Sequence, residues 1–355
     1  MKTRPRTIAV TGLNATDNPA PGVGVIRALR AGGDASLRIV GLAYDALDPG
    51  AYAGDIVSDV FMIPYPSQGL EAFVSRLEYV HRRVGLDVII PTLDAELPSF
   101  IDIAPRLHAM GIGTCLPTRE QLDLRSKASL AALGARAGIR VPRTAALSDA
   151  DELLRIHERV PYPFHVKGVF YGATLATTFD EAVSAYYKVI AQWGLPVLVQ
   201  EHVTGEELDV VAVGDGEGGL VGAVPMKKML LTDKGKGWAG ITVRDPELVG
   251  IAQAFAEATR WRGPFEVEVM RDAHGRYHLI EVNPRFPAWV YLSVAAGMNL
   301  PRAVVDLAAG APIEPLRGYE VGAMFVRISI DQVARISDFQ SMVTTGELVR
   351  SGGLS

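Results

Sequence analysis

Cysteine is nearly absent. A single one, Cys115, stands in 355 residues, which excludes an internal disulfide and a thiolate zinc site and fits a reducing compartment. Long runs of Lys or Arg are also missing, and the net charge of -5 argues against a general polyanion-binding surface, so nucleic acid is not an expected partner. No apolar stretch approaches the roughly 18 residues of a membrane span. Met1-Lys-Thr-Arg-Pro-Arg-Thr-Ile8 lacks the apolar core of a signal peptide, so no membrane partner and a cytoplasmic location are expected. There is no internal repeat. What remains, 48% hydrophobic and 21% charged, is ordinary for a globular chain long enough for two or three domains.

The first 115 or so residues alternate short apolar strands with amphipathic stretches, the rhythm of βαβ units around a parallel sheet. The expected strands are Thr7 to Thr11, Leu37 to Ala43, Val57 to Ile63, Asp87 to Pro91 and Ile112 to Cys115. Gly12, Gly22 and Gly24 invite a dinucleotide fingerprint, but Arg27 stands where its third small residue belongs, and Gly12 is too far from Gly22. A Rossmann-like unit without a nicotinamide cofactor follows. Asp94 and Glu96 lie either at the ligand-collecting carboxyl edge of its sheet or at a helix start capped by Asp94.

Residues 118 to 137 read as one helix, stopped by Gly138 and Pro142 at a plausible domain boundary. From 144 to 201 a small α+β unit is expected, with strands at Pro163 to Lys167, Ala173 to Thr177 and Val197 to Glu201 and a helix at Phe179 to Trp193. Beyond Thr204 the pattern is antiparallel, with helices at Pro246 to Arg260 and after Ala288 and a strand at Ala323 to Ile330. The Ser/Thr/Gly-rich end reads as a fraying terminus.

Gly263-Pro-Phe-Glu-Val-Glu-Val-Met-Arg-Asp-Ala-His-Gly-Arg-Tyr-His-Leu-Ile-Glu-Val-Asn-Pro-Arg285 reads as a hairpin. If His274 and Gly275 form a two-residue loop, Glu268 faces Glu281 and Glu266 faces Asn283, while Val267, Val269, Ile280 and Val282 share the opposite face. A three-residue turn would place Glu268 and Glu281 on opposite faces and overturn this reading. Like charges opposite each other destabilise a sheet, so the pattern calls for a cation unless the face simply lies in water. Magnesium suits two carboxylates and an amide oxygen, and Arg285 just past the strand offers a forked donor to the same phosphates. Lys167 closes a buried apolar run, which calls for an anionic partner. Lys227, Lys228, Lys234 and Lys236 crowd a Gly-rich stretch with Trp238 that is either a mobile flap or a basic surface hairpin.

Taken in chain order, these segments resemble the ATP-grasp superfamily, nearest to the carbamoyl-phosphate-synthetase-like, stand-alone carboxylate-amine ligase type. The fold implied is α/β and α+β: a Rossmann-like pre-ATP-grasp domain (1–117), an ATP-grasp N-terminal part with a lid (118–202), and an antiparallel C-terminal part with the metal hairpin and an extension (203–355). The resemblance implies Lys127, Lys167, Gln200, Glu201, His202, Val203 and Glu207 at ATP, and Glu268, Glu281 and Asn283 at magnesium, with manganese as a substitute. It implies Arg285 and Lys228 as the catalytic cations. Phe170 and Tyr171 replace the small residues of the family's phosphate-covering loop, which either covers phosphate in another conformation or lines the acceptor pocket. Phe286-Pro-Ala-Trp-Val-Tyr291 similarly marks either a partly aromatic pocket or helix-start packing.

The implied activity is ATP-dependent activation of a carboxylate as an acyl phosphate, followed by attack of an amine and release of ADP and phosphate. Small-molecule carboxylate and amine substrates are the expected partners, and a homodimer is left open. The alternatives are a bicarbonate-activating subunit and a nucleotide-binding module without turnover. The acid and the nucleophile are not specified by the sequence.

Overall fold

The protein is described by a computed structural model covering residues 6–15, 18–33, 37–127, 129–168, 172–233 and 235–350. Its first sheet is built from β1 (Arg6–Val10), β2 (Leu37–Ala43), β3 (Asp59–Met62) and β4 (Val88–Ile90), parallel in the order β3-β2-β1-β4. Ile8, Ala9 and Val10 are all fully buried, as a sheet covered by helices on both faces requires. The loop after β1 is held tightly against the helix Pro21–Arg30: a Cβ on Gly22 would lie 2.0 Å from the Thr11 carbonyl oxygen. Backbone approach, rather than a dinucleotide fingerprint, accounts for that glycine.

The expected strand at Ile112 to Cys115 is not formed; a single parallel bridge joins Val88 to Gly113. Gly113 packs against helix Leu300–Ala308 so closely that a Cβ there would sit 2.0 Å from the Ala308 oxygen, which turns the chain off the ladder. The single helix expected over 118 to 137 is two helices, Arg119–Leu124 and Leu130–Ala137. Between them the Ser126 hydroxyl accepts the Ser129 N–H at 3.2 Å, a local bond that competes with helix continuation and leaves Lys127 in the break. Gly138, left-handed at φ 68°, closes the second helix as expected.

The second sheet joins β5 (Thr144–Leu147), β6 (Phe164–Lys167), β7 (Ala173–Ala176) and β8 (Val197–Glu201) in the antiparallel order β5-β8-β6-β7, backed by helix Phe179–Trp193. Val169, Phe170 and Tyr171 lie outside the described residues. The third sheet runs β13-β12-β9-β10-β11-β14, from β9 (Gly205–Asp215), β10 (Leu220–Leu231), β11 (Gly237–Thr242), β12 (Arg262–Asp272), β13 (Tyr277–Asn283) and β14 (Met324–Val326). One face of it packs Val210, Phe265, Val267, Leu279 and Val282 against helix Pro246–Thr259. On the other face Val211, Val224 and Met226 join a core shared with the first sheet and with Phe286 and Trp289.

The hairpin β12–β13 pairs Glu266 with Asn283, Val267 with Val282 and Glu268 with Glu281, the expected register. Its turn differs. Asp272 N–H donates to the Arg276 carbonyl at 3.0 Å, so the loop holds three residues, and a bulge beyond Glu268 restores the pairing. Leu279 therefore replaces Ile280 opposite Val269, and it is Leu279 that is fully buried.

The terminal region does not fray over its described length. Residues 327 to 330 leave the short strand β14, after which helix Ile336–Thr345 leads into β15 (Glu347–Val349), antiparallel to β3 on the edge of the first sheet. Among the described residues no helix is long and apolar enough to cross a membrane.

Candidate functional site

Strand period decides which side chains meet. On one face of the third sheet, Asp209, Glu268 and Glu281 form a cross-strand row on β9, β12 and β13, and Val211, Glu266 and Asn283 form the next. Lys228 on β10 shares that face: its Nζ lies 2.9 Å from Glu268 Oε2 and 3.3 Å from both Glu207 Oε2 and Asp209 Oδ1. Burial alone would lower the Lys228 pKa, but the carboxylates of Asp209, Glu268 and Glu207 outweigh it and raise it well above the ordinary lysine value. Glu268, which burial alone would raise, is held below the usual carboxylate range by that ammonium.

Asn283 donates through Nδ2 to Glu266 Oε2 at 3.0 Å and to Glu268 Oε1 at 2.8 Å, an orientation that leaves Oδ1 as its acceptor. Trp289 Nε1 donates to Glu266 Oε1 at 2.7 Å, and Arg285 NH1 lies 3.6 Å from Glu266 Oε2. Arg285 Nε donates at 2.8 Å to Asp94 from the carboxyl end of β4. Asp94 is thus a partner of the hairpin's arginine and not a helix cap; the helix Leu97–Ala109 starts after Glu96. Glu96 is fully buried and accepts from Thr11 Oγ1 and Tyr44 OH, both at 2.5 Å, and from two backbone N–H groups. On the opposite side Lys127 Nζ reaches Glu281 Oε1 at 3.3 Å.

Lys167 ends β6 with its ammonium on Gln200 Oε1 of β8 at 2.6 Å. Burial, then repulsion from Lys127, lowers its pKa to about 8 against the pull of Glu281 and Glu268. Between pH ~8 and the usual lysine value the folded chain therefore binds fewer protons than the unfolded one. Stability rises with pH across that window and is lost as pH falls through the folded pKa. An anion bound beside Lys167 favours its charged form. Binding of an anionic ligand there is accordingly expected to take up a proton at pH 8 to 9, with affinity falling by up to about tenfold per pH unit above ~8. Calorimetric titration in two buffers of different ionisation enthalpy measures this directly, and buffer-independent heats would refute it.

One connected network thus holds Lys228, Glu207, Glu268, Asn283, Glu266 and Arg285, and the Glu281–Lys127 pair stands beside it across the hairpin register. Glu201, His202 and Val203, expected at the nucleotide, lie outside this network. Glu201 pairs with Arg143 at 3.3 Å, His202 Nδ1 meets His165 Nε2 at 2.9 Å, and Val203 follows the end of β8. Lys227 turns away to Glu206, while Lys234 lies outside the described residues. Glu266, expected opposite Asn283, Trp289, within the stretch 286–291, and Asp209, near Glu207, were given no site role from sequence, and Arg327 was not singled out. Alternation along β12 already put Glu266 on the acidic face, and Glu207-Leu208-Asp209 puts Asp209 on the face of Glu207. Arg327, half-buried, donates through Nε to the Gly237 carbonyl at 3.0 Å, lies over the Phe325 ring and is attracted by Glu266.

Glu268, Glu281 and the Asn283 amide oxygen are hard oxygen donors on one face, which fits magnesium. Among the described residues no three His, Cys, Asp or Glu side chains form a ready-made cage, and magnesium is commonly held by one or two carboxylates with phosphate oxygens completing the shell.

The sequence profile of the family described as "ATP-grasp in the biosynthetic pathway with Ter operon" matches residues 195–325. The carbamoyl phosphate synthase large chain of Clostridium acetobutylicum is 24% identical over 237 residues, covering 62% of this chain and 22% of that one. Its counterpart from Clostridium perfringens strain 13 is 23% identical over 274 residues, covering 71% and 25%. The chain therefore spans about a quarter of the length of these curated relatives. Among solved structures, biotin carboxylase of Campylobacter jejuni in its β-γ-ATP complex superposes with a TM-score of 0.70 at 15% identity, covering 90% of this chain and 74% of that one. N5-carboxyaminoimidazole synthetase of Staphylococcus aureus with ADP gives 0.69 at 14%, covering 90% and 80%, and L-amino acid ligase of Bacillus licheniformis gives 0.64 at 17%, covering 87% and 75%. The profile match over residues 195–325 and the shared fold make the chain similar to ATP-grasp proteins.

Proposed function

We propose that the protein is an ATP-dependent carboxylate-amine ligase. The observation that carries this reading is the register of the hairpin, which sets Glu268 opposite Glu281 and Glu266 opposite Asn283 within reach of Lys228, Lys127 and Arg285. A row of carboxylates balanced by side-chain cations is suited to hold a polyphosphate and its counter-ion, and costly to bury for stability alone. Glu268, Glu281 and Asn283 would hold magnesium, which would supply charge neutralisation for the group being transferred.

The chain's own residues then have distinct tasks. Lys167 and Lys127 hold phosphate oxygens from the second sheet and the helix break, with Gln200, Glu201, His202 and Val203 along the nucleotide's base and Glu207 near its sugar. Lys228 and Arg285 neutralise the phosphoryl group in flight, so catalysis is positioning plus electrostatics. A substrate carboxylate oxygen attacks the γ-phosphorus as the bond to the β-phosphate oxygen breaks and ADP leaves. An amine then attacks the acyl carbon, loses a proton and expels phosphate. Arg327, a guanidinium with no carboxylate partner within 4 Å among the described residues, is suited to hold the acid's carboxylate beside Glu266.

A panel of amino acids, other small carboxylates and bicarbonate, screened for ATP-dependent phosphate release with hydroxylamine present, tests the reading. A hydroxamate formed from one acid identifies the activated substrate. Release with bicarbonate alone would move the assignment to carboxyphosphate formation, and binding of ATP without release under any acid would leave a nucleotide-binding module.

A further inference from the structure

Asp209 is the one carboxylate of the site with no evident occupation. It is 1% exposed, and neither oxygen accepts a hydrogen bond. Its nearest cation is Lys228 Nζ at 3.3 Å, an ion pair and not a hydrogen bond, and its register neighbours are Met226 on β10 and Glu268 on β12. A buried carboxylate in that state costs stability: burial raises its pKa, only the Lys228 ammonium among the main influences opposes the rise, and Glu268 and Glu266 add repulsion. Packing alone would be better served by an apolar or amide side chain.

We propose that Asp209 is the positioning residue of Lys228: a fixed, buried counter-ion that keeps the ammonium in place while phosphate and metal occupy Glu268. This rests on the ligase reading for what Lys228 does, and not for the pairing itself. Three carboxylates surround the ammonium. The side chains of Glu268 and Glu207 are 26% and 34% exposed, so ligands can reach both, whereas Asp209 is sealed beneath them. When a ligand claims Glu268, its hold on Lys228 weakens, and a mobile ammonium on a four-carbon stem would swing toward solvent. Asp209 has a shorter side chain with fewer rotamers and lies outside the ligands' reach. Its charge therefore fixes where Lys228 waits.

The test is a double-mutant cycle of Asp209→Asn and Lys228→Met, read in thermal stability and in turnover. Asp209→Asn is expected to change the melting temperature by no more than a few degrees, because loss of the ion pair with Lys228 is offset by relief of burial and of repulsion from Glu268 and Glu266. Lys228→Met leaves three carboxylates unbalanced and is expected to lower it by at least about 5 °C, with Asp209→Asn in the same chain restoring at least half of that loss. If Lys228→Met is recovered only as an aggregate while the double variant is recovered folded, the rescue has been seen. In turnover, Asp209→Asn is expected to lower kcat by about 30- to 100-fold with ATP affinity within about threefold of the parent, and to have little further effect once Lys228 is Met. A melting loss from Asp209→Asn that adds to that of Lys228→Met, or an unchanged kcat, overturns the proposal. Should the parent protein show no turnover at all, the ligase reading fails, and the stability cycle still decides whether Asp209 is the counter-ion of Lys228.

Discussion

Glu281→Gln is expected to reduce ATP-dependent phosphate release about a thousandfold while leaving the fold intact. Glu281 faces Glu268 in register, and its side chain, 31% exposed, pairs with Lys127 at 3.3 Å. The substitution keeps the shape and removes the charge. Its structural cost is that of a partly exposed ion pair, at most ~1 kcal/mol, and the repulsion with Glu268 that it relieves offsets part of that. On the proposed function its functional cost is larger, because one of two carboxylates that would hold the metal is gone and Lys127 loses its ion pair with Glu281. Several kcal/mol of transition-state charge stabilisation corresponds to roughly 10²- to 10³-fold in rate. The variant should also need at least about tenfold more magnesium for half-maximal rate, a shift that simple misfolding would not give. Turnover at the parent's rate and magnesium requirement would remove Glu281 from the metal set.

The acidic face was legible because alternation in a strand depends on nearest neighbours only. Its register came out right for a reason the residues did not reveal. The two-residue loop drawn around His274 and Gly275 is a three-residue loop, and the slip it causes is undone by the bulge at Ile280, so two departures from the simple ladder cancel before Glu281. The change left its trace in the core, where Leu279 stands in place of Ile280.

What alternation could not give was the order of strands. Asp209 and Lys228 join the row through β9 and β10, tens of residues from the hairpin, and no local pattern states which strand lies beside which. The break at Lys127 was hidden for a related reason. The helical pattern runs on either side of it, and among the described residues the bonds between Ser126 and Ser129 and the pull of Glu281 across the cleft favour the interruption.

Deleting residues 336–355 is expected to lower the melting temperature by more than about 10 °C or to yield aggregated protein, although a Ser/Thr/Gly-rich end suggests nothing of the kind. The helix Ile336–Thr345 buries Met342 completely in the core of the first sheet, with Phe339 beside it, and β15 adds Leu348 at 8% exposure. Arg350 then clasps the sheet edge: its N–H donates to Asp59 Oδ1 at 3.1 Å and its guanidinium to the carbonyls of Val57 and Ala51 at 3.0 and 2.8 Å. Arg76 donates to the Gly346 carbonyl at 2.8 Å from the other side. Exposing two apolar side chains costs about 1.5–3 kcal/mol each, and these hydrogen bonds about 1 kcal/mol apiece. The sum, on the order of 7–10 kcal/mol, rivals the whole stability of an ordinary domain. Deletion also strips the edge of β3, inviting pairing between chains. The effect reaches the site, because β14 and Arg327 lie on the same segment, held to β11 at one end and to β3 through β15 at the other. Arg350→Ala, which keeps the helix and its buried Met342, is the milder probe. It should cost a few degrees and raise the KM for the carboxylate more than that for ATP. An Arg350→Ala variant with unchanged melting, or a deletion that melts with the parent, would mean that the clasp adds nothing to the fold.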